Sequence, residues 1–397
     1  MHDTFADLVS PCTVDRFFQE YYERKHLHIV RNVNGYYDSI LNVADIDSFF
    51  QRNDLDCSSL RVVRDGEELS SIKWTFDRSS RVNNDKLFIL FNQGYTLIIT
   101  AANRSILKLI NYSNDLEKEL KFGTQFNIYI TPRNAHGFAH HYDDHDVFIL
   151  QVHGSKIWRL YGTPVQLPSR RYPHKKFKGT YELGSPQFED QLVQGDLLYI
   201  PRGLLHDAVT TDTVSVHITL GLHPNYWFEL LQEVASLAED MPEFRRAIPN
   251  ALMSEDTKKK FREEFQSLTQ ALLKPLDVHA LLQRQFDRFM RSKSFEDQHR
   301  FTDSIQLSKL NANSILSRRE SIPFQVYRDD KNVTISFYDK KVDFPHFVWP
   351  SIDTLVQRRV FAVKDIGGLI TDEGRIDLAT KLIQEGFLTI DNINAET

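Results

Sequence analysis

Cysteine is nearly absent from this chain: there are two, Cys12 and Cys57, among 397 residues. Two thiols cannot build a disulfide framework or a cysteine-rich zinc site, and their scarcity fits a reducing compartment. Long apolar runs are also missing. No stretch approaches the roughly 20 apolar residues of a membrane span, and the opening MHDTFADLVSPCTVDRFF lacks the apolar core of a signal peptide. Nor is there a large excess of charge of one sign. The 48 Lys and Arg against 54 Asp and Glu leave a net charge of −6, which argues against a bulk electrostatic grip on nucleic acid. Internal repeats and low-complexity segments are absent. The expectation is a cytoplasmic, globular protein with no membrane attachment.

A chain of this length exceeds one compact core, so two or three domains are expected. Thr13 reads as the N-cap of a helix over about Val14 to Arg24. Strand-like runs follow: HLHIV near 28, LRVV near 62, KLFILF near 88 and YTLIIT near 97. A helix is expected over Arg104 to Lys121. Many short β-rich segments then fill Gln125 to Leu222, a density that suggests a double-sheet barrel or jelly roll rather than a βαβ array. These segments make up a domain over 1–223. Residues 224–304 carry three amphipathic helices, and the first places Trp227, Leu231, Val234 and Ala238 on one face, which must bury against something. In 305–397, strands at Phe324–Tyr327 and Val333–Tyr338 are followed by helices at Pro350–Arg359 and Asp372–Glu385 and by a closing strand through Ile390. That order suits a small winged-helix-like domain. Its 12 Lys and Arg are balanced by 13 Asp and Glu, so direct DNA binding is not expected.

Histidine is concentrated where cysteine is not. Five of the 15 histidines (His136, His140, His141, His145 and His153) fall within 18 residues. In Phe126-Asn-Ile-Tyr-Ile-Thr131, period-2 alternation puts Asn127, Tyr129 and Thr131 on one face, which in a barrel can line a polar cavity. His141 and Asp143 share i, i+2 spacing and can reach one point, a usable two-ligand arm for a divalent metal. The third ligand is sought in Gln194-Gly-Asp-Leu-Leu-Tyr-Ile-Pro-Arg-Gly-Leu-Leu-His206, where a Pro-Arg-Gly turn presents His206. Two histidines and one carboxylate leave three positions open on an octahedral ion, the facial triad of Fe(II) oxygenases. His145 rivals the first arm by parity and His217 rivals His206, whereas His140 and Asp144 fall on the wrong parity. Lys156 follows the turn His153-Gly-Ser155, on a β-hairpin starting at the metal arm, where its cation can pair with a substrate carboxylate.

Together these strings resemble a known family. NIYITP, GFAHHYDDHDVFILQVHGSKIWRLYG, GDLLYIPRGLLH, SVHITLGLHP and the C-terminal VKDIGGLITDEGRIDLATKLIQEGFLTI are similar to the JmjC-type, cupin-fold ribosomal-protein hydroxylases, both bacterial arginyl and eukaryotic histidyl. The resemblance implies a double-stranded β-helix (jelly-roll) catalytic domain, a helical dimerisation module over 224–304 that makes a homodimer, and a C-terminal winged helix. It implies Fe(II) held by His141, Asp143 and His206, with 2-oxoglutarate and O2 as cosubstrates. Lys156 is implied to bind the distal carboxylate of 2-oxoglutarate, assisted by Asn127 and Thr131, while Tyr129 and Thr219 face the substrate, a ribosomal protein. Lys156 resembles the histidyl branch, but Thr219-Leu-Gly-Leu-His223 resembles bacterial members, so both Arg and His stand as target residues. Two alternatives share the metal arm: an oxygenase acting on a peptide, a small molecule or methyl-lysine, and a non-catalytic metal-binding cupin scaffold.

Overall fold

The structure is a computed structural model that describes residues 4–77, 79–248, 254–291, 299–319, 322 and 324–393. The chain forms two compact units, Met1–Pro224 and Asn225–Thr397.

Eleven strands build the first unit: β1 (Leu27–Ile29), β2 (Leu60–Arg64), β3 (Glu67–Glu68), β4 (Thr96–Ile99), β5 (Gly123–Thr131), β6 (Asp146–His153), β7 (Ser155–Leu160), β8 (Phe188–Val193), β9 (Leu197–Ile200), β10 (His206–Thr210) and β11 (Ser215–His223). They form an eight-stranded sheet in the order β1-β9-β6-β11-β5-β4-β2-β3 and a three-stranded sheet in the order β10-β7-β8. Every pairing is antiparallel. This is the double-sheet arrangement that the run of short strands predicted.

The alternation expected in β5 holds. Phe126 and Ile128 enter the main core with Phe148, Leu150, Tyr199, Ile218 and Leu220, and Ile130 packs against it. The opposite face of the large sheet meets the small sheet. There Val147, Ile149, Leu198 and Ile200 pack with Trp158, Leu160, Leu192 and Ala208. A strand buried on both faces can carry polar side chains only where they are satisfied or line a cavity, and Tyr129 and Thr131 lie on this inner face.

Three expectations need correction. KLFILF is not a strand but lies within the helix Asn84–Asn92. The Asn83 side chain accepts from the Lys86 backbone N–H as an N-cap. Leu87 is buried, and Leu90 and Phe91 pack against the core, while Phe88 and Ile89 are exposed. That is helical spacing inside a run too uniformly apolar to reveal it. Second, β6 and β7 are not hairpin partners. β6 pairs with β11 and β9, whereas β7 pairs with β10 and β8. The turn at Gly154 instead carries the chain from one sheet to the other. Its φ is +63°, and a Cβ there would lie 1.9 Å from the Val214 carbonyl oxygen, so only glycine fits. Third, His141 and Asp143 precede β6 rather than lying in it.

The second unit contains helices Trp227–Leu237, Glu255–Leu273 and Val278–Arg291. Val234 is buried, but Trp227 and Leu231 on the same face are 83% and 64% exposed. Two three-stranded antiparallel sheets follow, one from β12 (Ile315–Arg318), β16 (Val360–Ala362) and β17 (Leu388–Asn392), the other from β13 (Phe324–Arg328), β14 (Asn332–Phe337) and β15 (Lys340–Pro345). Helices Trp349–Gln357 and Asp372–Glu385 accompany them. Phe289 and Met290 of the third helix enter this unit's core.

Candidate metal centre

His141 and His206 are brought together by backbone. Each donates its N–H to the other's carbonyl, at 3.0 and 2.8 Å, as an isolated antiparallel bridge. Asp143 is tied to the same turn, because its carbonyl accepts from Gly203 N–H at 3.0 Å. Gly203 has φ +86°, and a Cβ would stand 2.4 Å from the Val165 carbonyl oxygen, so the Pro-Arg-Gly turn requires glycine here. One ligand atom from each of His141, Asp143 and His206 lies within 4.8 Å of the others, the only such group of three among the described residues.

The hydrogen bonds select the tautomers. His141 Nδ1 lies 2.9 Å from the Ala139 carbonyl oxygen, and His206 Nδ1 lies 3.0 Å from that of Leu204. A carbonyl only accepts, so each Nδ1 carries a proton and Nε2 is the nitrogen left to face a metal. This is the orientation of metal-ligating imidazoles, fixed through the ring's other nitrogen. Burial and the neighbouring His206 push His141 below its ordinary range and keep it neutral. Burial also pushes Asp143 upward, but the imidazoles of His141, His145, His206 and His174 outweigh it and hold the carboxylate ionised. A neutral imidazole and an ionised carboxylate are the states a metal needs.

The rival histidines lie elsewhere. His145 donates through Nδ1 to Asp144 at 3.2 Å and stacks on His223. His217 is buried, stacked on Tyr129 with centroids 4.8 Å apart and edge-on to Trp158 at 5.4 Å. His140 is half-buried and outside the cluster.

A pocket opens beside the three ligands, with Tyr129, Lys156, Trp158, His217 and Thr219 among its walls. Lys156 is 4% exposed, not the solubilising residue that a strand lysine usually is. Its Nζ donates to Thr131 Oγ1 at 3.2 Å, and among the described residues no carboxylate pairs with it. Burial alone pushes its ammonium down to about 7. Thr131 in turn lies 3.3 Å from Thr96 Oγ1. Asn127 shares the inner face with its cross-strand partner Thr219. Its carboxamide oxygen, however, accepts from Ala101 N–H at 3.0 Å, and the residue does not line the pocket. Trp158, Thr96 and Phe138 line the pocket and were missed. Trp158 has the same strand parity as Lys156, a signal present in the sequence.

One further residue holds the turn. Arg202 is buried, donates to Glu23 at 2.5 Å and to the Pro168 carbonyl at 3.0 Å, and sits next to Gly203. Glu23 N–H donates to Tyr199 OH, which donates to buried Asp146. Arg202 is buried and Glu23 half-buried, so losing the arginine leaves a partly hydrated carboxylate and the Pro168 carbonyl without their partner. Arg202→Ala is expected to destabilise the fold by about 2 kcal/mol and to weaken metal binding about tenfold, as loss of an outer partner does. Thermal unfolding and metal titration check both; unchanged metal affinity in a destabilised protein would leave Arg202 a purely structural role.

Residues 107–230 match the JmjC domain. The Dictyostelium discoideum bifunctional lysine-specific demethylase and histidyl-hydroxylase NO66 is 32% identical over 256 residues, 62% of this chain and 48% of its own. Human ribosomal oxygenase 1 is 29% identical over 262 residues, 63% of this chain and 40% of its own. The chain therefore spans under half the length of these curated relatives. Among solved structures, Escherichia coli ribosomal oxygenase YcfD matches with a TM-score of 0.55 at 17% identity, covering 96% of this chain and 98% of its own. A further YcfD structure, with TM-score 0.54 and 17% identity over 95% of this chain and 98% of that one, is in complex with cobalt and 2-oxoglutarate. The fold is thus the cupin-type fold of mixed α and β content seen in YcfD, with a segment, residues 107–230, that matches the JmjC domain and a sequence similar to those of the ribosomal oxygenases.

Proposed function

We propose that the protein is an Fe(II)- and 2-oxoglutarate-dependent oxygenase that hydroxylates an Arg or His side chain of a ribosomal protein. The observation that carries this reading is Lys156: a buried ammonium without a carboxylate partner, in a pocket whose other wall presents two imidazole lone pairs and a carboxylate. A buried cation is costly unless paired, and the missing anion is supplied by a dicarboxylate. The donor set fits Fe(II), since nitrogen and carboxylate oxygen on one side leave three positions for a chelating oxoacid and O2.

His141, Asp143 and His206 would hold the iron, and Lys156 with Thr131 would hold the distal carboxylate of 2-oxoglutarate. Bound there, iron and cosubstrate supply the oxidising power for an unactivated C–H bond, with 2-oxoglutarate leaving as succinate and CO2. The chain itself orients and shields. Trp158, Ile149 and Phe138 keep water from the pocket, the two Nδ1 hydrogen bonds fix the imidazole rings, and Tyr129 and Thr219 face the entering side chain. Asn127, bound to Ala101 N–H beside its cross-strand partner Thr219, has no direct hold on the cosubstrate.

The same reading takes 1–223 as the catalytic domain, 224–304 as a helical dimerisation module and 305–397 as a winged helix. The exposed Trp227 and Leu231 support a homodimer, because large apolar side chains on one helix face mark an interaction surface. The unpaired Cys12 and Cys57 support a cytoplasmic location. The balanced charge of 305–397 leaves direct DNA binding out.

Incubation with Fe(II), 2-oxoglutarate and ribosomal proteins tests the reaction. Succinate is expected with one oxygen added to one protein, and Asp143→Ala is expected to form neither. Equal turnover by that variant would refute the reading.

A further inference from the structure

The net negative charge hides one cationic patch. Arg170, Arg171, Lys175, Lys176 and Lys178 fall within nine residues that contain no acid. All five are exposed, and no ion pair among the described residues involves them. Elsewhere on this chain surface cations are commonly paired, as Lys258 is with Glu255 and Lys260 with Asp256.

Two aromatics are interleaved with these charges. Tyr172, 49% exposed, stacks on Phe177 with centroids 6.0 Å apart, and Lys176 lies over both rings. The segment is also strapped to the metal-bearing stretch. Tyr142 OH donates to the Tyr172 carbonyl at 3.0 Å, and the His174 ring packs against those of Tyr142 and His141 at 5.1 and 6.4 Å. The patch therefore lies next to the candidate centre.

From this geometry we infer that the segment 169–180 binds RNA and docks a substrate protein through the RNA that carries it. Unpaired cations suit phosphates, and an exposed aromatic among them suits a stacked base, the combination used for single strands. An acidic peptide would satisfy the charges but has no use for the ring platform. A free basic ribosomal protein would be repelled here. The docking role rests on the ribosomal-protein reading above; RNA binding itself does not.

The test is fluorescence anisotropy of the full chain with a labelled single-stranded RNA of about a dozen nucleotides, over a salt series. Five phosphate contacts give a log–log salt slope of up to about −3.5. The triple variant Arg171→Ala, Lys175→Ala, Lys176→Ala is expected to lose at least tenfold in affinity and about two units of slope. A control, Lys258→Ala, Lys259→Ala, Lys260→Ala, removes the same charge elsewhere and is expected to bind as the wild type does. Absent binding, equal loss in the control, or equal competition by a poly-glutamate of matched charge would each overturn the proposal; the last would make the patch a site for acidic protein. If RNA binds but no ribosomal protein is oxidised, the ribosomal-protein reading and the docking role fall and the RNA site stands.

Discussion

His206→Ala is expected to lose metal affinity by more than about 100-fold, the upper end of what loss of an outer partner costs, and turnover with it. His217→Ala is expected to keep metal affinity within about threefold. The contrast follows from placement. His206 shares a two-hydrogen-bond bridge with His141, and its Nδ1 proton is engaged by Leu204, which leaves its Nε2 facing the Asp143 carboxylate at 3.8 Å, where a shared ion would sit. His217 sits against Tyr129 and Trp158 outside the three-ligand cluster, and burial, aided by nearby Lys156, pushes it well below the ordinary histidine range. Removing it deletes aromatic packing, worth about 1 kcal/mol beyond area, without deleting a ligand. Titration of each variant with Mn(II) or Fe(II) under anaerobic conditions decides the matter. A His217→Ala protein that loses metal as severely as His206→Ala would move the third ligand.

Lys156→Met is expected to raise the 2-oxoglutarate KM by about 10- to 150-fold, the equivalent of the 1.5–3 kcal/mol of a hydrogen bond to a charged group, with a smaller change in kcat. Met keeps the volume and loses the charge. The pH dependence separates this from a packing effect. The folded ammonium sits at about 7, below its unfolded value of 10.5. The unfolded chain therefore binds the proton more tightly, and between these values the stability of the metal-free protein rises with pH. Cosubstrate binding requires the protonated amine, so affinity falls above about pH 7, by up to tenfold per pH unit. In Lys156→Met both slopes should vanish, and metal-free stability near neutrality should not decrease, since an uncompensated buried cation is gone. Unchanged KM in the variant would remove Lys156 from the cosubstrate site.

Much of the site was legible because it rests on local order. The alternation in β5 alone puts Asn127, Tyr129 and Thr131 on one face, and Gly203 marks the turn that carries His206. Other features were not legible, for physical reasons. The meeting of His141 with His206 depends on a backbone bridge between segments 65 residues apart, which side-chain patterns do not encode. The i, i+2 spacing of His141 and Asp143 suggested a strand, yet both lie in the loop before β6, and Gly203 rather than strand parity fixes Asp143. Lys156 was legible as a cation for a carboxylate, but not its burial: the expected β-hairpin is instead a crossing from one sheet to the other at Gly154. After Lys86 every position of KLFILF is apolar, so neither period is visible, and the Asn83 cap is the signal that marks the helix. Arg202 was visible within the turn, but its partner Glu23 is 179 residues away.

Calorimetric titration of 2-oxoglutarate into the protein, with and without Mn(II) in place of oxidisable iron, tests most directly whether His141, Asp143, His206 and Lys156 form one site. Binding is expected only with the metal present, weakened in Lys156→Met and abolished in Asp143→Ala. Equally tight binding without metal, or in Asp143→Ala, would show that the oxoacid and the metal do not share a site.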